Sequence, residues 1–193
     1  FARPLARTRE VIEIVQRIFQ GETLAYDGEF YQLPLRDGGS GEGKALRPGA
    51  PPPKNVPIYI ASLGPKNLRM TGEMADGWLG GSFLPEHADL FLDTIREGAE
   101  AAGRSLDDID LQVGGTIWFT DDVDEAVKTL KPGLAFSIGA MGSRQHNFYN
   151  DAYRRQGFAD EAREVQRLWL AGERDEARAC VPDEMVLGSN LID

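Results

Sequence analysis

This sequence predicts an α/β fold built on a parallel sheet, and three observations carry the prediction. Strand-like and helix-like segments alternate between residues 56 and 123. The run Val56-Pro57-Ile58-Tyr59-Ile60-Ala61 is continuously apolar, as expected of a strand buried on both faces of such a sheet. The composition, 41% hydrophobic and 27% charged over 193 residues, is that of an ordinary soluble domain. Strand–helix alternation of this kind indicates βαβ units with right-handed crossovers.

The first element is an amphipathic helix. Val11, Ile14, Val15 and Ile18 recur at helical period, Ile12 and Phe19 widen the stripe, Pro4 suits the opening turn and Gly21 the stop. Residues 23–33 contain Asp27-Gly28 between two β-rich runs, a signal for a tight hairpin. Residues 36–54, with Pro51, Pro52 and Pro53 in a row, read as a mobile surface loop. After the strand at Val56, Ser62-Leu63-Gly64-Pro65 is a turn and residues 66–75 a short helix. A second strand covers Trp78-Leu79-Gly80-Gly81-Ser82. Residues 85–102 form a longer helix with Leu90, Phe91, Ile95 and Ala99 inward and Gly103 as its stop. A third strand is expected over 109–119, broken at Gly114-Gly115, and Thr120-Asp121-Asp122 caps the next helix. From Asp124 onward only helices are expected: one through Leu130, then 148–155, 160–170 and 175–180. The organisation is a single domain over 1–193, with helix, hairpin and loop in 1–55, strand–helix repeats in 56–123 and a helical segment in 124–193.

Several function classes are excluded. Twenty-one basic against 31 acidic side chains leave a net charge of −10, which a nucleic-acid backbone repels. No apolar stretch approaches the roughly 20 residues of a membrane span. The single cysteine, Cys180, fits a reducing, cytoplasmic setting. Metal-ligand spacing is absent. The chain begins Phe1-Ala2-Arg3-Pro4, without an initiator Met or a signal pattern, and is expected to be a piece of a longer one.

The stretch richest in chemistry is Ala61 to Lys66. A buried strand ends there in small residues and enters a helix whose first N–H groups are free for an anion. Ser62 adds a hydroxyl, Gly64 admits close approach and Lys66 adds a charge. The plain alternative is a capped turn with an exposed lysine. Gly80-Gly81 at a strand end could admit a flat ligand beside Trp78, or Trp78 could be simply core; Gly114-Gly115 before Thr116 reads the same two ways. His87 and His146 are acid–base candidates whose alternative is a surface position. Cys180 has no histidine near it in sequence, so a nucleophilic role lacks support. No self-contained catalytic constellation stands out, and the catalytic residues stay unassigned.

Taken together, several stretches resemble the luciferase-like monooxygenase family. They are Arg3-Pro4-Leu5-Ala6-Arg7-Thr8-Arg9-Glu10, Gly21-Glu22-Thr23, Tyr26-Asp27-Gly28-Glu29-Phe30-Tyr31, Val56 through Lys66, and Gly72-Glu73-Met74-Ala75-Asp76-Gly77-Trp78. The likeness spans residues 3 to 185. It is nearest to the branch that uses the deazaflavin coenzyme F420, the relatives of methylenetetrahydromethanopterin reductase. The resemblance implies a partial (β/α)8 TIM barrel, the three strands matching the fifth to seventh, with four strands before Arg3 and the eighth after Asp193. It implies an oxidoreductase that moves a hydride between coenzyme F420, or alternatively FMN, and a small organic substrate, or that activates oxygen. It places the cofactor phosphate at Ser62, Leu63, Gly64, Pro65 and Lys66, with Gly80, Gly81 and Thr116 near the ring. Phe136, His146, Phe148, Tyr149 and Trp169 become substrate-pocket candidates, helix packing being their plain alternative. A homodimer is compatible with the family, and the 193 residues alone should be weakly active or inactive. Two competing readings are another phosphate-binding barrel enzyme, which needs a lysine or carboxylate base at a strand end, and a truncated interaction module with an exposed apolar edge.

Overall fold

The computed structural model describes residues 2–35, 43–47, 49 and 56–193, so the loop read over 36–54 lies largely outside the described residues. Helix α1 (Pro4–Phe19) opens the chain, and Gly21 follows it at φ 79°. Its buried positions are Glu10 and Ile12; Val11, assigned to the inner stripe, faces solvent. Helix α1 is covered by helix α2 (Pro65–Met74), through Gln16 Nε2 to the Met74 carbonyl at 2.9 Å and an Arg9–Glu73 ion pair, and by the hairpin that follows, through Glu10 and Glu13, which leaves Val11 outside both contacts.

The hairpin exists, but its turn is centred on Glu29-Phe30 and not on Asp27-Gly28: the Gly28 amide donates to the Tyr31 carbonyl at 2.9 Å. Strand β1 (Tyr26–Asp27) pairs antiparallel with β2 (Gln32–Leu33), leaving Gly28 to Tyr31 as the connection. The buried Glu10 carboxylate governs it by accepting from the amides of Glu29 (2.8 Å), Phe30 (3.1 Å) and Tyr31 (3.0 Å). Three backbone donors gathered on one carboxylate favour a turn at Glu29-Phe30 over the one at Asp27-Gly28 that the sequence suggests.

The parallel sheet is built in chain order. Strand β3 (Tyr59–Ile60) pairs with β4 (Gly77–Gly80), and β4 with β5 (Asp110–Val113), all parallel. Helix α3 (Asp89–Ala101) follows a short 3-10 turn at Pro85–His87 and packs on α2, as α2 packs on α1. Each new strand adds to the same edge with its helix on the same side, the one-way winding of a barrel wall. Leu68, Trp78, Phe91, Ile95, Ala99 and Ile109 form the core between helices and sheet. Leu90, read as inward, is exposed, because Phe91 takes the inner direction one residue on. The Val56–Ala61 run is only half-buried: helices cover one face of it and β4 is its paired neighbour.

The third predicted strand divides at the glycines. Residues 114–116 separate β5 from β6 (Ile117–Trp118). Strand β6 pairs in parallel with β7 (Leu191–Ile192), which corrects the expectation of helices alone after Asp124. Helix α4 (Val123–Ala140) continues through Pro132, ten residues past the expected end at Leu130. Ala135 and Ile138 are both fully buried beyond the proline, and that burial outweighs the lost N–H. Helices α5 (Phe148–Arg155), α6 (Ala159–Ala171) and α7 (Arg174–Ala179) lie where expected, and α8 (Asp183–Gly188) is additional. They share a second core of Leu84, Val127, Ala135, Ile138, Tyr153, Val165, Val181 and Met185. Among the described residues, no helix is long and apolar enough to cross a membrane.

Candidate functional site

The loops that follow β3, β4 and β5 meet at the carboxyl edge of the sheet, where ligands of α/β folds sit. They enclose a hollow of about 450 Å³ walled by Ala61, Ser62 and Leu63, by Leu79, Gly80 and Gly81, and by Gln112, Val113 and Gly114. Tyr149, from α5, closes it. A second hollow, of about 490 Å³, begins at the next residues of the same segments: Gly64 and Pro65 of the turn and Phe148 of α5. Asp151, Arg154, Arg155, Ala159 and Arg163 complete its wall. The two hollows are neighbours along one trough-like edge, since Leu63–Gly64 and Phe148–Tyr149 each contribute one residue to either.

The turn is open at its backbone. Gly64 is the N-cap of α2 in an extended conformation (φ −78°, ψ 146°), and its carbonyl accepts from the Leu68 amide at 2.9 Å. Pro65 has no N–H, so the Lys66 and Asn67 amides are the first-turn donors without an acceptor inside the helix. A Cβ built on Gly64 would meet nothing within 4 Å. Ser62 contributes differently from its reading in the sequence. Its hydroxyl is 2.8 Å from that of Thr71 in the interior, and its carbonyl accepts from Trp78 Nε1 at 2.9 Å, so the residue is buried and its polar atoms are engaged. The exposed Lys66 lines neither hollow.

The glycines divide by what a side chain would strike. On Gly80 a Cβ would lie 2.6 Å from the Trp78 ring and 2.9 Å from Val113, so its smallness serves packing. On Gly81 it would meet nothing, and that face belongs to the hollow. Thr116 lines, with Gly115 and residues 188–191, a further hollow of about 320 Å³ that borders the strand-end hollow at Val113 and Gly114, and its amide donates to Asn190 Oδ1 at 2.7 Å.

Charge in the trough is mostly neutralised locally. Arg154 pairs with Asp151 at 3.1 Å and Arg163 with Asp160 at 2.6 Å. Arg155 is held otherwise: its guanidinium donates to the Leu63 carbonyl and stands 5.4 Å over the Phe91 ring. Burial draws its pKa below the ordinary arginine value, with nearby Asp151 opposing. It remains the cation of this wall that no carboxylate bonds among the described residues. The adjacent Gln156 is fully buried and joins α5 to the loop after β4. Neither residue carries a sequence signal, because polar residues at the end of a helix ordinarily read as solvated.

Of the pocket candidates, Phe148 and Tyr149 reach the trough. Phe136 and His146 line neither half; Phe136 packs edge-on against Trp169, ring centres 5.8 Å apart, and His146 is exposed. Burial, then Glu164 and Glu161, push the Cys180 thiol above its usual range, the opposite of nucleophile activation. In the ring-sized hollow, Gln112 Nε2 already donates to Asp110, which leaves the Gln112 amide oxygen and the Tyr149 hydroxyl as side-chain polar groups with no bonded partner among the described residues. The trough therefore suits a ligand with a flat ring and an anionic tail: small residues at the strand ends, free amides and one cation beyond them.

The model of the luciferase-like monooxygenase family matches residues 1–192. A Mycobacterium tuberculosis protein, named provisionally as a coenzyme F420-dependent oxidoreductase, is 38% identical over 96% of this chain and 55% of its own length. The 5,10-methylenetetrahydromethanopterin reductase of Archaeoglobus fulgidus is 29% identical over 95% of this chain and 52% of its own. Among solved structures, the coenzyme F420-dependent tetrahydromethanopterin reductase of Methanopyrus kandleri superposes with a TM-score of 0.68 at 24% identity, over 97% of this chain and 50% of that one. The chain thus spans about half the length of the relatives it matches.

Proposed function

The chain belongs to the luciferase-like monooxygenase family, and from that premise we propose that it forms the coenzyme-holding wall of an oxidoreductase that uses coenzyme F420. One observation carries the reading: the open backbone at Gly64 and the Arg155 guanidinium share a hollow that neighbours a ring-sized one at the strand ends. The names of the relatives support F420 over FMN as the coenzyme.

In this reading the Lys66 and Asn67 amides and Arg155 bind the coenzyme's phosphate, Gly64 lets it approach, and Leu63, Gly81 and Gly114 flank the ring. When bound, the deazaflavin supplies the hydride-carrying carbon. Tyr149 and Phe148 cover the trough from α5, keeping water from the ring and facing a small organic substrate. Strands β3, β4 and β5–β6 take the fifth to seventh places of a (β/α)8 barrel, and β7 starts the eighth. Turnover by these residues alone is weak, because the ring's other contacts come from strands outside them.

The test is equilibrium titration with coenzyme F420 and, separately, with FMN. Saturable F420 binding is expected, weakened about tenfold or more by Gly64→Leu. The Gly64 backbone is one that any residue adopts and a Cβ there meets nothing within 4 Å, so the variant is expected to fold, which circular dichroism checks. Preference for FMN overturns the coenzyme assignment. Absence of binding to either by the folded chain overturns the site.

A further inference from the structure

Ser82 follows the open Gly81 and holds φ at 52°, in the left-handed region that residues with a Cβ avoid. Such an outlier persists only where its surroundings over-determine it, and here the loop is held by Gln156, at the end of α5. Gln156 Nε2 donates to the Ser82 carbonyl at 2.7 Å, and its Oε1 accepts from the Leu84 amide at 2.8 Å. One buried amide thus grips the loop on both sides of Phe83, with its donor and its acceptor both used.

We infer that Gln156 is a positioning residue for the coenzyme site: by holding Ser82 left-handed it sets the Gly80–Gly81 backbone that walls the ring-sized hollow. The inference rests on the coenzyme reading above. The same helix carries Tyr149 into that hollow and Arg155 onto the Leu63 carbonyl. One rigid element therefore registers the loops after β3 and β4 against each other. Without the Gln156 bonds, Ser82 relaxes to negative φ and Gly81 moves with it.

The experiment compares the wild-type chain with Gln156→Met, Ser82→Gly and the double variant, titrated with coenzyme F420 while backbone NMR shifts report the conformation at residue 82. Gln156→Met should weaken binding on the order of tenfold and move Ser82 out of the left-handed region. Glycine takes positive φ without strain, so Ser82→Gly should restore most of the lost affinity in the double variant. A purely structural loss would not be rescued there. Should Gln156→Met fail to fold, Gln156→Glu replaces it, keeping an acceptor for Leu84 while removing the donor to Ser82. Unchanged affinity in the Gln156 variant, or no recovery in the double variant, overturns the inference. If the wild-type chain binds no F420, the coenzyme reading falls. The NMR readout still judges Gln156 separately: shifts that keep Ser82 left-handed in the variant overturn its role.

Discussion

Trp78 donates its indole N–H to the Ser62 carbonyl at 2.9 Å, tying the middle of β4 to the turn beyond β3. The ring is 1% exposed and lies 5.8 Å from both Phe83 and Phe91. Trp78→Phe keeps much of the apolar fill but leaves a buried carbonyl unpaired and a void behind it. A loss of about 2–4 kcal/mol is expected. Urea unfolding measures it; an unmoved midpoint would mean that the bond constrains nothing.

Arg155 is expected to act on binding more than on folding. Arg155→Met removes a charged donor from the Leu63 carbonyl and the unneutralised cation from the wall beside Gly64. F420 affinity should fall roughly tenfold, and its dependence on ionic strength should flatten because one charge contact is gone. Arg155→Lys should recover the salt dependence but only part of the affinity, since an ammonium lacks the planar fork. Titration at two ionic strengths separates the variants. An equal salt slope in wild type and Arg155→Met would place the anion elsewhere.

Glu10 organises the hairpin connection, and its replacement should loosen that connection locally. Glu10→Gln turns one of two acceptor oxygens into a donor facing the Glu29, Phe30 and Tyr31 amides. A destabilisation of about 1–3 kcal/mol is expected. Amide exchange should accelerate at residues 29–31 ahead of the parallel sheet. Uniform acceleration throughout the chain would show instead that the hairpin unfolds only with the whole.

What could be read beforehand follows from how local each determinant is. The alternation of β3, α2, β4 and α3 is written in apolar periodicity and in stops such as Gly103, so it is visible along the chain. Strand β7 is two residues, Leu191 and Ile192, made a strand only by the partner they meet at Ile117 and Trp118. Nothing in their neighbourhood announces it. The continuation of α4 past Pro132 depends on the burial of Ala135 and Ile138 against other helices, and the hairpin loop on Glu10, 19 residues before Glu29. At the candidate site, the turn at Gly64 was legible because strand end, small residues and helix start are consecutive. Arg155 and Gln156 were not, because each acts across more than 70 residues on a carbonyl or amide that no side-chain pattern marks.

Tyr26 predicts a loss of stability in alkali. Its phenol is pushed up to about 12, first by burial and then by its hydrogen bond to Glu13, 2.7 Å away. An unfolded tyrosine titrates near 10, so the folded chain holds this proton more tightly than the unfolded one. The contribution is therefore fully present below about pH 10 and is lost as the pH rises toward 12. Tyr59, bonded to Asp110, and the buried Tyr153 are shifted the same way, so the decline is shared. Tyr26→Phe costs the Glu13 bond at neutral pH but removes one titrating group. The fall in urea midpoint between pH 9 and pH 11 should be smaller in the variant than in the wild type. An identical fall in both would show that the Tyr26 proton is not linked to folding, and would assign the alkaline decline to Tyr59 and Tyr153.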